Sequence, residues 1–267
     1  INLADTKRLQ GDTKAAQEIA EKFMDDALDV AATWNVLGAI RLDVDDVEGA
    51  THAIEKALSL SPHFADAHSN LGNIQLRKGH VSAAISAYRT ALEIDPDHPD
   101  ATVNLGTAML TTGDWPAAIE HYDMVLLRQP DHIDAKWNRS LALLMKGDYL
   151  QGFAAYESRW QLPHIHHRDV AMPPWTGQDL TGRSLLVLAE QGFGDTLQMA
   201  RLIPILKTLG ADTTLECHPS LLPLLADIPQ LSGCVPLGQP LPQCDFYAPI
   251  MSLPYLLGIE LDTLPAE

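Results

Sequence analysis

The stretch Glu190-Gln191-Gly192-Phe193-Gly194-Asp195-Thr196-Leu197-Gln198 sets polar side chains around two closely spaced glycines. Such a turn lets backbone approach a bound molecule, and free amides at a following helix start favour negative charge. Gln191, Gly192, Phe193, Gly194, Thr196 and Gln198 are therefore candidate substrate-loop residues. Leu197 stands where a dinucleotide-binding GxGxxG would need its third glycine, so that fingerprint is absent. Asp195 sits where a helix N-cap belongs. Asn70, Asn104 and Asn138 recur 34 residues apart, with Val36 in the equivalent earlier place. An amide both donates and accepts, so this row can pair with a peptide backbone without demanding a sequence. Tying neighbouring repeats together, or merely facing water, is the alternative role. His164, His166 and His167 form a loop cluster without a Cys or carboxylate at metal-ligand spacing, and no metal site is assigned. Cys217, Cys234 and Cys244 fit no CxxC knuckle or dense disulfide framework; they read as small apolar residues of a reduced, cytoplasmic protein.

Composition bounds the partners. The 267 residues suffice for two domains, and 46% hydrophobic content is that of a globular chain. A net charge of −17, from 35 acidic and 18 basic residues, repels a phosphate polyanion and argues against nucleic acid. Basic peptides or no particular partner class remain, since acidity alone usually just aids solubility. No run reaches the ~18 apolar residues of a membrane span, and Asp5, Lys7 and Arg8 interrupt any signal-like start.

The asparagines must be positioned by a repeat. Gly11, Gly79, Gly113 and Gly147 share one 34-residue grid, with Asp45 in the missing place, and Pro62, Pro96 and Pro130 share another. Units of 31–64, 65–98, 99–132 and 133–164 follow, with the second helix of an earlier unit before them. Gly38, Gly72 and Gly106 fall mid-helix, where glycine costs about 1 kcal/mol against alanine. Close approach of a second helix presenting Ala50, Ala84 and Ala118 accounts for them. Trp34, Leu37, Gly38, Ala50, Ile54, Ala57 and Pro62, echoed by Leu71, Gly72, Ala84, Tyr88, Ala91 and Pro96, resemble tetratricopeptide repeats. The resemblance implies an α-solenoid over 1–163 whose first helices line a concave wall that takes a protein or peptide. In the fourth unit Arg139 and Ser140 replace Leu-Gly. Trp137, Tyr149, Phe153, Tyr156 and Trp160 read there as packing at the seam to the next domain.

Residues 164–182 read as a linker. From Ser184 the period changes: Ser184–Ala189, Thr213–Cys217, Cys234–Leu237 and Asp245–Ile250 read as strands. One helical run from Asp195 to Gly210 and another over Pro219–Ala226 alternate with them. That alternation predicts a partial α/β, Rossmann-like domain with a parallel sheet over 183–267. Trp175-Thr-Gly-Gln-Asp-Leu-Thr-Gly182, the Gly-rich turn and Pro249-Ile-Met-Ser-Leu-Pro254 resemble bacterial proteins that fuse such repeats to a glycosyltransferase-like domain. That domain is similar to the heptosyltransferase group of GT-B enzymes. The resemblance implies Asp195 as general base on an acceptor hydroxyl and a nucleotide sugar as donor, with no tightly bound cofactor. It also implies a second, donor-holding domain for which 183–267 leaves no room, so this chain alone is expected to be inactive. Two readings follow: a peptide-binding module coupled to glycosyl transfer in an intact protein, or a non-catalytic scaffold with an α/β end-cap.

Overall fold

The 34-residue grid is a grid of left-handed turns. A computed structural model describes residues 2–24, 29–162, 165, 168–190 and 192–265. In it Gly11, Gly79, Gly113 and Gly147 have φ of 78, 79, 81 and 88°, and Asp45 has 63°. Asp45 is the one non-glycine with positive φ among the described residues. At each turn the following residue's amide reaches five residues back: Asp46 N to Arg41 O at 2.8 Å, His80 N to Gln75 O at 2.8 Å, Asp114 N to Met109 O at 3.0 Å. This bond absorbs a carbonyl that the helix end would leave unpaired, and it needs a left-handed residue at the grid position. The next residue caps the next helix. Asp12, Asp46, Asp114 and Asp148 accept from the amides of Ala15, Gly49, Ala117 and Gln151. His80 makes no such cap bond.

Two compact units result, Ile1–Ala142 and Leu143–Glu267. The first holds helical hairpins: α1 (Asn2–Leu9) with α2 (Thr13–Met24), α3 (Ala31–Asp43) with α4 (Val47–Leu60), α5 (Ala65–Arg77) with α6 (Val81–Ile94), and α7 (Pro99–Thr111) with α8 (Trp115–Arg128). The segment before residue 31 thus contains a full hairpin, where the sequence suggested only a second helix. Helix α9 (Ile133–Lys146) crosses the division, and α10 (Tyr149–Tyr156) belongs to the second unit.

The mid-helix glycines are spared a clash with side chains rather than with the alanines. A Cβ on Gly38 would lie 2.6 Å from Ile54 Cδ1, one on Gly106 2.9 Å from Tyr122 Cε1, and one on Gly72 2.3 Å from Tyr88 Cε1. These residues follow Ala50, Ala118 and Ala84 by one helical turn. Tyr88 and Tyr122 are fully buried, yet each hydroxyl finds a partner beside the glycine it crosses. Tyr88 donates to Asn73 Oδ1 at 2.8 Å, and Tyr122 pairs with Thr107 Oγ1 at 3.2 Å.

The second unit carries a four-stranded, wholly parallel sheet of β1 (Ser184–Leu188), β2 (Asp212–Cys217), β3 (Leu231–Pro236) and β4 (Phe246–Pro249), in the order β3-β2-β1-β4. Leu185, Leu186, Val187 and Leu188 on central β1 are all buried, as expected when helices cover both faces. The run read as one helix is two: α11 (Phe193–Ala200) and α12 (Ile203–Thr208). Pro204 lacks an N–H and its ring collides with the carbonyl of Ala200, so the first helix stops there. The short helices α13 (Leu222–Leu225) and α14 (Leu253–Leu256) follow β2 and β4. The stretch read as a linker adds buried Met172, Trp175 and Leu180 to this unit. Trp175 N donates to Tyr247 O at 2.7 Å, which extends pairing beyond the free edge of β4. Among the described residues no helix is long and apolar enough to cross a membrane.

Candidate functional site

Residues i, i+4 and i+7 share one face of a helix. On the first helices of the hairpins they give Ala32, Val36 and Ala39; Asp66, Asn70 and Asn73; Asp100, Asn104 and Thr107; then Asp134 and Asn138. All of them line one groove of about 610 Å³ within Ile1–Ala142. The groove therefore has rows: three carboxylates, one per repeat, and one turn along each helix the three amides picked out from sequence. At α3 the same positions are apolar, and beyond them α1 adds Asp5, Arg8 and Leu9 to the lining.

The amides are not equivalent. Asn70 Nδ2 donates to Asn35 Oδ1 at 2.8 Å and Asn138 Nδ2 to Thr107 Oγ1 at 3.3 Å, so each also ties its repeat to the previous one. The Asn104 side chain makes no hydrogen bond among the described residues, and it lines the groove. Of the roles weighed from the sequence, tying adjacent repeats is present at Asn70 and Asn138.

The carboxylate row escaped the sequence reading although it lies on the same grid. A second repeated feature escaped with it. His98 caps α7: Ala101 N donates to its Nδ1 at 3.3 Å, and its Nε2 donates to Asp66 Oδ1 at 2.8 Å. His132 accepts from Ala135 N at 3.3 Å and points Nε2 at Asp100, 3.8 Å away. Asp66 raises the pKa of His98 above its ordinary 6.5, burial opposing, while His98 holds the Asp66 carboxyl below its own usual value. The recurrence of His at 98 and 132, and of Asp at 66 and 100, was the signal.

In the second unit the Gly-rich turn joins β1 to α11 at the carboxyl edge of the sheet. Gly192 is the N-cap of α11 and provides no side-chain bond; Asp195 lies in the first turn rather than at the cap. Asp195 is half-buried, and its side chain makes no hydrogen bond among the described residues. Thr196 is buried, its Oγ1 3.4 Å from Gly192 O. Phe193 is exposed and lies against the His218 ring, centroids 4.4 Å apart. Gly194 and Gln198 are exposed, and Gln191 lies outside the described residues. So do His164, His166 and His167; among the described residues no cluster of three or more His, Cys, Asp or Glu could hold a metal.

Two family models, each described as Tetratricopeptide repeat, match residues 36–99 and 76–144. A relative from Caulobacter vibrioides, protein FlbA, is 38% identical over 65 residues, 23% of this chain. The chain spans only 11% of that relative's length. Among solved structures, PilW, a type IV pilus biogenesis factor, superposes with a TM-score of 0.53 at 21% identity over 60% of this chain and 76% of PilW. Pseudomonas aeruginosa PilF gives 0.50 at 17% identity, over 58% and 72%. At these identities the likeness is one of fold. With the grid of left-handed turns and the small-residue crossings, the matches settle the class: the first ~150 residues of this chain are a tetratricopeptide-repeat stack.

Proposed function

We propose that the chain is a scaffold whose repeat groove binds an extended, basic segment of another protein. One observation carries the reading: a row of three carboxylates, Asp66, Asp100 and Asp134, runs beside the Asn70, Asn104 and Asn138 row in a single groove. The acids suit Lys or Arg side chains spaced along the segment, and the amides suit its backbone. Ala32, Val36 and Ala39 favour an apolar residue where the segment crosses α3. Localised charge of this kind steers encounter and selects the sign of the partner more than it adds affinity.

Fluorescence anisotropy with labelled peptides tests this. A Lys/Arg-containing extended peptide should bind, more weakly as salt rises, and its Glu-containing counterpart should not. Asp66→Asn/Asp100→Asn/Asp134→Asn should weaken binding at least about tenfold, and Asn104→Ala should weaken it with the fold intact. Equal affinity for both peptides, or indifference to both variants, would remove the groove from the function.

A second reading is favoured by one feature of the other unit. The parallel order β3-β2-β1-β4, with an unpaired Asp195 in the helix turn after β1, suits the glycosyl-transfer resemblance, in which Asp195 takes the acceptor proton and a nucleotide sugar is the donor. In the longest form of the protein that carries both halves of the transferase fold, nucleotide-sugar hydrolysis or transfer lost in Asp195→Asn would support it; activity untouched by that change would exclude Asp195.

A further inference from the structure

We propose that the unit Leu143–Glu267 carries a second binding site, for a small organic cation of the alkyl- or trimethylammonium class, in a cavity beside the end of β4. The inference starts from Arg159, whose side chain is wholly buried. A buried guanidinium persists only with its donors matched. Its Nε donates to Glu190 Oε2 at 2.9 Å, and one terminal nitrogen reaches Glu190 Oε1 at 3.1 Å and Ser252 Oγ at 2.8 Å. The other donates to Glu157 Oε1 at 2.5 Å. Trp160 covers its face, 4.3 Å from ring centre to guanidinium carbon.

The charges do not balance. One guanidinium meets two carboxylates, so a single negative charge is left over. Glu190 is sealed, its side chain 8% exposed, and Oε1 also accepts from Met251 N at 2.9 Å. The surplus therefore faces outward through Glu157, which is 29% exposed. Its carboxylate is held in place: Ser252 Oγ lies 3.0 and 3.1 Å from its two oxygens, and Trp160 Nε1 donates to Oε2 at 3.4 Å.

Glu157 and Ser252 open onto a cavity of about 430 Å³ walled by Trp160, Trp175, Tyr247 and Tyr255. Aromatic faces carry negative potential and attract cations, more so where water is excluded. A fixed carboxylate within aromatic walls thus has the chemistry of an ammonium receptor. An anion is repelled there, because the donors of Arg159 are already used behind the wall. The place is also where parallel sheets keep ligands, at the carboxyl ends of strands.

The test is a calorimetric titration of the full chain with choline, against 3,3-dimethylbutan-1-ol, which has the same shape without the charge. Choline should bind saturably and the neutral alcohol at least about tenfold more weakly. Glu157→Gln should abolish the difference between the two. Tyr255→Ala removes a half-exposed rim ring outside the Arg159 network, so it should fold normally and still weaken choline binding several-fold. No saturable choline binding, equal binding of the alcohol, or wild-type affinity in a folded Tyr255→Ala would overturn the proposal.

Discussion

The groove and the Arg159 network both hold polar groups inside the protein, by opposite means. In the groove three bonds span about one repeat: Asn70 to Asn35, His98 to Asp66 and Asn138 to Thr107 lie 35, 32 and 31 residues apart. The same backbone geometry recurs, so the same kind of partner recurs. Around Arg159 the partners come from 2, 31 and 93 residues away, with no period. A repeat can lose one rung and keep its neighbours, whereas a single buried charge has no substitute.

That contrast is sharpest at Arg159 itself. Arg159→Met strands Glu190 in the interior and should destabilise the second unit by about 3–5 kcal/mol, seen in urea unfolding followed by tryptophan fluorescence. Adding Glu190→Gln should recover part of the loss; no recovery would mean the pair is not coupled as its geometry implies. Next comes the helix crossing in the repeats. Gly72→Ala gains about 1 kcal/mol of helix propensity but pushes into the Tyr88 ring, for a net loss of about 1–2 kcal/mol. Gly106→Ala, whose nearest contact is longer, should lose less; the reverse ranking would refute the crossing account.

Smaller effects probe the repeat register. Asp45→Gly relieves a left-handed residue and should stabilise by about 0.5–1 kcal/mol, visible as a raised midpoint in thermal unfolding. It forfeits only an exposed pair with Arg77. Last is pH. The raised pKa of His98 gives stability fully present below 6.5 and lost as pH climbs through the folded-state value. The lowered pKa of Asp66 gives stability present above 3.8 and lost as pH falls through its folded value. The pair thus contributes most between those limits. Asp66→Asn should narrow the stability gap to wild type outside that window, and an NMR titration should show His98 moving back toward 6.5.

Much of the repeat unit was legible because a period multiplies each signal. The Gly grid marked the turns, and Asp45 showed itself as the exception. The asparagines were found by that means, and Asp66, Asp100 and Asp134 were equally available one helical turn earlier. Three of the four strands were visible as short apolar or β-branched runs close to their observed limits, whereas the third, read from Cys234, begins at Leu231. Pro204 was visible too, but the apolar spacing on either side of it disguised the break as one helix. Asp195 read as a cap because its residue type suits one; the helix instead begins two residues earlier, at Phe193.

Sequence by itself determined the class of the first unit and the existence of the second, since both depend on local periodicity and turn chemistry. Only the tertiary structure decided that Trp175 belongs to the sheet edge, and that Glu190 in the Gly-rich turn serves a buried arginine. It also decided that Glu157 faces a ring-lined cavity. The physical reason is that charge pairing and enclosure depend on distance in space, and across an aperiodic α/β unit nothing in the chain's spacing encodes that distance.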